Sequence, residues 1–292
     1  MSVKFSLVYP TRHRPKFIEY ALLFLEHQKY KNFEVIVSDN FVDANYSCEQ
    51  ECLKSNLNNI KYIRPLKPVG MVENWNFALQ YATGDYICYL TDKMFLLPST
   101  LRLASDCIEK EHADIVTWVD DIYDPEQFPN YFGKGQYIHT DSSVPKGEKY
   151  ICYNPAKELS KKGRAAVARG EQDKSHYTRG KICFGAYKSS LCEEVVCKSG
   201  KLFHNVTPDY TSMILGLSFS KTAAEIADAG IVHINTDLSN GGKVEADDAA
   251  ALEYLTELDE FDSIKNNLLI PGIYSSVNNL VAHDYVSLKK KN

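Results

Sequence analysis

The chain has 292 residues, 44% hydrophobic and 24% charged, a globular composition that suits one large α/β domain with an appendage. Its net charge of −5 argues against a dedicated nucleic-acid binder, which needs a basic surface to neutralise phosphates. No apolar run reaches the length of a membrane span, and Met1–Lys4 leads straight into a predicted strand without a signal-peptide pattern. The eight cysteines include no CxxC pair, which predicts reduced, mostly buried thiols of a cytoplasmic protein rather than disulfides or zinc ligands.

Val3–Tyr9 is the first predicted strand, ended by Pro10, and Thr11–Pro15 is a polar loop. Pro15 suits the first turn of an amphipathic helix over Phe17–Gln28, with Ile18, Ala21, Leu22 and Leu25 on one face. A second strand, Phe33–Val37, carries Ser38-Asp39-Asn40 at its tip. A helix around Asn45–Lys54 and a third strand, Ile60–Ile63, follow, with Arg64 at that strand's end. Val72, Trp75, Ala78 and Ala82 recur at helical spacing, which places Trp75 in the core, and Gly84 sits where a left-handed C-cap would stop the helix. Tyr86–Leu90 is a short apolar run suited to a strand covered on both faces, and Asp92 and Lys93 follow at its tip. Pro98 opens a helix that continues over Thr100–Glu109, and Asp114–Val119 is a further strand. This alternation predicts an α/β fold with a Rossmann-like, doubly wound, mostly parallel sheet that gathers ligands at its strand tips. No GxGxxG follows the first strand, which argues against a dehydrogenase.

Tyr123–Arg179 reads as irregular, with helical pattern only over Pro155–Arg169. Within it Lys157, Lys161, Lys162, Arg164 and Arg169 outnumber the acids. They read as a solvated face, or as a lid that attracts an anionic glycan or lipid-linked phosphate. Gly180–Tyr187 is a predicted strand, and Thr207-Pro208-Asp209-Tyr210 precedes an apolar helix over Met213–Phe219. Ala223–Asn235 holds the last strand, and Ser239–Gly242 is a turn. Asp247–Leu258 is an acidic amphipathic helix, and helical pattern continues through Ile264–Leu280. The terminal Lys289-Lys290-Lys291 would add to a peripheral contact with anionic lipid.

Three motifs then carry a resemblance. Pro10-Thr11-Arg12-His13-Arg14 follows the first strand, Ser38-Asp39-Asn40 the second, and a helix with Asn74-Trp75-Asn76 precedes the strand that ends at Asp92. Together they resemble the family 2 glycosyltransferases, inverting enzymes of the GT-A fold that use nucleotide-activated sugars. The resemblance implies a nucleotide-sugar donor, a glycan or lipid-linked acceptor, no nucleic acid, and a role in bacterial-type surface polysaccharide synthesis at the cytoplasmic side of the membrane. It divides the chain into a GT-A domain over residues 1–245 and a helical extension over 246–292. The domain comprises a nucleotide half (1–122), an acceptor-side insertion (123–180) and a half bearing the base (181–245). The implied donor site comprises Pro10, Thr11, Arg12 and Arg14 around the nucleotide, and Asp39 and Asn40 at the base. Arg64 and Gly70 lie toward the diphosphate, and Asn74, Asp92 and Lys93 line the pocket. A carboxylate such as Asp39 accepts directionally from a ring N–H or an amine, although Asp-Asn also caps turns. Asp209 is the implied base that takes the acceptor's hydroxyl proton, with helix capping as its alternative role.

One motif departs from the family. Asp92 matches the first acid of its metal motif, but Lys93 and Met94 stand where further acids are expected. Mg²⁺ or Mn²⁺ would then rest on Asp92 and His233, although a histidine in an apolar strand is more often packed in a core. Lys93, Arg14 and Arg64 would instead stabilise the leaving diphosphate directly, so metal is expected to be weakly required or dispensable. Asp120, Asp121 and Asp124 either compensate or simply end their strand. The altered motif also leaves open a catalytically silent domain that binds nucleotide or glycan, or transfer of a non-sugar group.

Overall fold

The computed structural model describes residues 2–127, 130–164, 177–204, 206–236, 248–256 and 261–291. In chain order the elements are β1 (Phe5–Thr11), α1 (Pro15–Glu26), β2 (Phe33–Asp39), α2 (Glu49–Lys54), β3 (Ile60–Ile63), α3 (Met71–Leu79) and β4 (Tyr86–Tyr89). Then come β5 (Met94–Leu96), α4 (Thr100–Glu111), β6 (Ile115–Thr117), β7 (Asp120–Gln127), β8 (Asn130–Ile138), β9 (Tyr150–Tyr153), α5 (Pro155–Arg164) and β10 (Gly185–Lys188). The chain continues with α6 (Ser189–Ser199), α7 (Pro208–Phe219), β11 (Ala223–Ile226), β12 (Ile231–Ile234), α8 (Asp248–Thr256), α9 (Phe261–Asn267) and α10 (Val277–Lys291).

The main sheet has eight strands in the order β3-β2-β1-β4-β10-β6-β11-β9. Every residue of β1 is buried, as expected of a strand with helices over both faces. β1 pairs in parallel with β2 on one side and β4 on the other. The winding therefore reverses between β1 and β4, and a crevice opens beyond their C-terminal ends, where open α/β sheets bind ligands. Pro10 does not end β1: it pairs with Ser38, and Thr11 pairs with Asp39, so the tips of β1 and β2 stand side by side.

Several expectations are corrected. Gly84 is not a left-handed cap; α3 stops at Leu79, and Gly84 is needed because β1 lies against it. A Cβ there would come 2.7 Å from the Ser6 nitrogen and 2.8 Å from the Lys4 carbonyl oxygen. The described residues within 123–179 are not irregular throughout. They hold most of a β7–β8 hairpin, the edge strand β9 and α5. The hairpin belongs to a second sheet, β5-β12-β7-β8, and its Phe132 stacks on Tyr20 of α1 with ring centroids 4.0 Å apart. Most of β8 is exposed, so it lacks the alternation that marks a half-buried strand. Gly180–Tyr187 shortens to β10, antiparallel to both of its neighbours. Ala223–Asn235 is two strands in two sheets, parted by a turn whose Gly230 lies under Trp118; a Cβ would come within 2.2 Å of that ring. Helical pattern after Ile264 is broken by Pro271 and by Gly272, which has φ +80°. Arg169 and residues 239–242 lie outside the described residues.

α10 packs on α7, and Asp284 of α10 accepts from both the Thr207 backbone nitrogen (2.8 Å) and hydroxyl (2.6 Å). All eight cysteines are free thiols, with Cys152 and Cys197 exposed and the rest buried.

The Gly84 contact is with backbone, which cannot rotate away. Gly84→Ala should cost about 1–3 kcal/mol of stability through overpacking, read as a lower denaturant midpoint with an unchanged slope. An unchanged midpoint would show that β1 does not bear on this residue.

Candidate active site

Asp92 anchors the crevice between β1 and β4. It is only 3% exposed, and each oxygen takes a donor from the β1 side. The Thr11 hydroxyl donates to Oδ2 at 2.9 Å, and Arg14 Nη1 donates to Oδ1 at 3.0 Å. Charge-assisted contacts of this kind satisfy a buried carboxylate and fix both strand tips. Arg12 lies partly buried in the same loop. His13 between them sits in the left-handed region (φ 61°), which is strained for a residue with a side chain. Its Nε2 accepts from the backbone nitrogens of Val42 (2.8 Å) and Asp43 (3.3 Å), tying this loop to the segment after β2. His13 carried no role in the sequence reading; its fixed geometry shows only in three dimensions.

Asp39 ends β2 with no solvent exposure. Its Oδ2 accepts from the Cys48 backbone nitrogen at 2.7 Å and from the Tyr62 hydroxyl at 3.0 Å, while its buried Oδ1 has no hydrogen-bond partner. Burial raises the carboxyl above its ordinary value, opposed by the Cys48 and Tyr62 donors and by Arg64. The tie to Cys48 at the start of α2 is a structural role, but it uses one oxygen only. The Arg64 guanidinium lies 3.5 Å above the Phe41 ring, on the Asp39 side of the crevice. Asn40 exchanges two hydrogen bonds with the Val69 backbone (2.8 and 3.0 Å), and its own nitrogen donates to the Thr11 carbonyl. Gly70 is the N-cap of α3. Asn74 accepts from the Ser38 hydroxyl at 2.7 Å, so it joins α3 to the β2 tip. Trp75 is core, stacked on Tyr89.

Beyond β4, Lys93 is partly buried, and burial pushes its ammonium down to about 8; Asp92 opposes this and Arg14 adds to it. His233 lies opposite Met94 in β12, with Nδ1 3.6 Å from Asp120 Oδ2. Asp121 accepts from Thr140 N at 2.9 Å and from Tyr137 and His139, which pins the hairpin, and Asp124 accepts from Asn235. Among the described residues no three His, Cys, Asp or Glu side chains form a metal-binding group. Each Asp92 oxygen takes one donor from the β1 side, and the adjoining Lys93 and Met94 offer no oxygen ligand to a divalent cation.

Asp209 is the second residue of α7, after Pro208. Thr207 makes no side-chain cap, since its hydroxyl is given to Asp284. The Asp209 carboxylate is 31% exposed and lies 3.6 Å from Lys181 Nζ. Lys181 sits against the rings of Tyr177 and Tyr210, and Tyr177 also acts electrostatically on Lys93, which links the two sides of the crevice. Lys181 and Tyr177 had no part in the sequence reading. The only local signal was a lysine entering an apolar run, KICFGAY.

The sequence model of glycosyl transferase family 2 matches residues 6–168, more than half of the chain. The chain belongs to glycosyl transferase family 2. This family 2 chain is similar to the GalNAc(5)-diNAcBac-PP-undecaprenol beta-1,3-glucosyltransferase of Campylobacter jejuni, 33% identical over 100 residues. That match covers 34% of this chain and 32% of the relative, so it spans about a third of each. Among solved structures it is similar to residues 1–349 of S. aureus TarS in complex with UDP-GlcNAc: TM-score 0.58, 16% identity, 90% of this chain and 70% of that one. The same segment with UDP gives TM-score 0.55 and 18% identity over 90% of this chain and 69% of that one. A further TarS structure matches with TM-score 0.55 and 17% identity over 90% of this chain but 42% of its own. At such identity the likeness shows the fold, which is the GT-A fold of glycosyltransferases.

Lys93 offers a direct check on the crevice. Its NMR signal, assigned through Lys93→Ala, should titrate with a midpoint near 8 against the ordinary lysine value of 10.5. The unfolded chain holds this proton more tightly, so the residue's contribution to stability rises with pH between those two values. A midpoint at the ordinary value would show the ammonium to be fully solvated.

Proposed function

We propose that this family 2 glycosyltransferase moves a sugar, with inversion, from a uridine-diphosphate donor to a glycan or lipid-linked acceptor in bacterial glycan synthesis. The observation that carries the reading is the buried, unpartnered Oδ1 of Asp39 at the tip of β2. A buried carboxylate oxygen without a donor is costly unless a ligand completes it. Oδ2 already has two donors, which leaves Oδ1 for a single ring N–H such as the imide of uracil. Guanine offers two adjacent donors and suits a carboxylate with both oxygens available. TarS in complex with UDP and UDP-GlcNAc supports a uridine nucleotide, and the name of the C. jejuni relative supports a lipid-linked acceptor.

In the reaction Asp209 takes the proton of the acceptor hydroxyl as its oxygen bonds to the anomeric carbon. The bond from that carbon to the diphosphate oxygen breaks, and the nucleoside diphosphate leaves with the electron pair. Charge develops on the leaving oxygens. Lys93 and Arg14 supply fixed cations there, which makes added metal weakly required or dispensable. Among the described residues no helix is long and apolar enough to cross a membrane. Peripheral contact with the lipid bearing the acceptor is part of this proposal, with Lys289–Lys291 as its basic end.

Asp39→Ala should weaken UDP binding by about 1–3 kcal/mol in calorimetry, while UDP binding by Asp209→Asn stays at the wild-type level. Equal UDP affinity in folded Asp39→Ala would remove this residue from the nucleotide site. The metal reading is checked separately by turnover of UDP-sugar after EDTA treatment. Activity should persist under chelation, and fall in Lys93→Ala or as pH rises through about 8 in the wild type. Activity abolished by chelation and restored by Mg²⁺ or Mn²⁺ would overturn it.

A further inference from the structure

The mechanism leaves one buried cation unused. Lys181 is 1% exposed, and its Nζ has no hydrogen-bond acceptor. Instead it sits between two aromatic faces, 3.7 Å from the Tyr177 ring centroid and 3.7 Å from that of Tyr210, with Asp209 Oδ2 at 3.6 Å. Burying an ammonium is unfavourable, and ring faces recover part of the loss. A unit negative charge is the strongest compensation within reach, and Asp209 supplies it. The cation is rigidly placed: its backbone nitrogen donates to the Thr178 carbonyl, and its carbonyl accepts from Phe184 N. Asp209 reaches it from the first turn of α7, with a third of its carboxylate left open to the crevice.

We propose that Lys181 is a positioning residue for the reaction, a caged internal cation that holds the Asp209 carboxylate in place and aimed at the acceptor hydroxyl. The inference rests on Asp209 as the base. The Lys181 ammonium is enclosed by the Tyr177 and Tyr210 rings and by Asp209, so it acts through Asp209. The cage explains why the α7 entrance is built as it is. Thr207 is taken up by Asp284, so it does not compete for the helix's first turn, and the adjoining Tyr210 turns its ring to the ammonium.

The test uses the full chain and hydrolysis of UDP-GlcNAc and UDP-glucose, in which water stands in for the acceptor. Lys181→Met, which keeps the volume and removes the charge, should lower kcat about 10–10²-fold through misplacement of the base. KM for donor and UDP affinity should be unchanged, so that the loss falls on kcat alone. A merely structural lysine would lower the melting temperature without this selective loss of kcat. Asp209→Asn should lower the melting temperature by stranding Lys181, and Lys181→Met added to Asp209→Asn should restore melting without restoring hydrolysis. If Lys181→Met does not fold, Lys181→Gln carries the same readouts. Hydrolysis kept in Asp209→Asn overturns the base assignment. Hydrolysis lost in Asp209→Asn but normal in kcat in Lys181→Met overturns the role of Lys181 alone. Wild-type protein that neither binds UDP nor hydrolyses these donors overturns the proposed function and this inference with it.

Discussion

The site depends on one buried carboxylate. Asp92 lies where the sheet reverses direction, and Thr11 and Arg14 reach across from β1 to its two oxygens. A charge removed from water needs such partners, and removing either would leave the other's charge or dipole unanswered. The pairing locks the loop after β1, and that loop then determines the rest of the donor side. His13 is turned to receive the backbone after β2, and the Thr11 carbonyl receives Asn40. Asn40 in turn clasps the Val69 backbone just before α3. Three strand tips and a helix start are thus linked through short polar contacts that originate at Asp92.

The side around Asp209 is built on a different principle. There the polar groups are held by aromatic and apolar bulk: Lys181 between two tyrosines, and the start of α7 tied down by Asp284 from the C-terminal helix. Behind α5 lies a further buried group of charges, in which Arg179 pairs with Glu225 at 2.7 Å and with Glu158 at 3.7 Å. Such groups contribute little net stability but fix geometry, because any other arrangement would strand a charge in a low dielectric. Tyr177, which touches the Lys181 ammonium and acts on Lys93, is the side chain through which the two halves feel each other.

Departure from the family's metal motif gains a physical context here. Lys93 is not a solvated surface lysine: burial has already reduced its hold on its proton, while Asp92 and Arg14 act on it from either sign. His233 is engaged by Asp120 instead of by a set of converging ligands, and the acids after β6 serve the second sheet.

The sequence by itself determined the alternation of strands and helices in the first half, and with it the placement of Asp39 and Asp92 at strand tips. That information is local: apolar periodicity, a proline opening α1, and short apolar runs bounded by polar residues. It also located Asp209 at the opening of its helix. Tertiary structure decided what each of these carboxylates meets. That one Asp39 oxygen is satisfied and the other left open depends on Cys48 and on Tyr62, from two other elements. That Asp209 faces a cation depends on Lys181, far earlier in the chain, whose burial no neighbouring residue announces. The hairpin of the second sheet was invisible for the complementary reason. Most of β8 is exposed and gains its place by setting Phe132 on α1, so the pattern along its own strand carries almost no trace of it. Periodicity records which face of an element is buried, not which distant atom arrives to bury it.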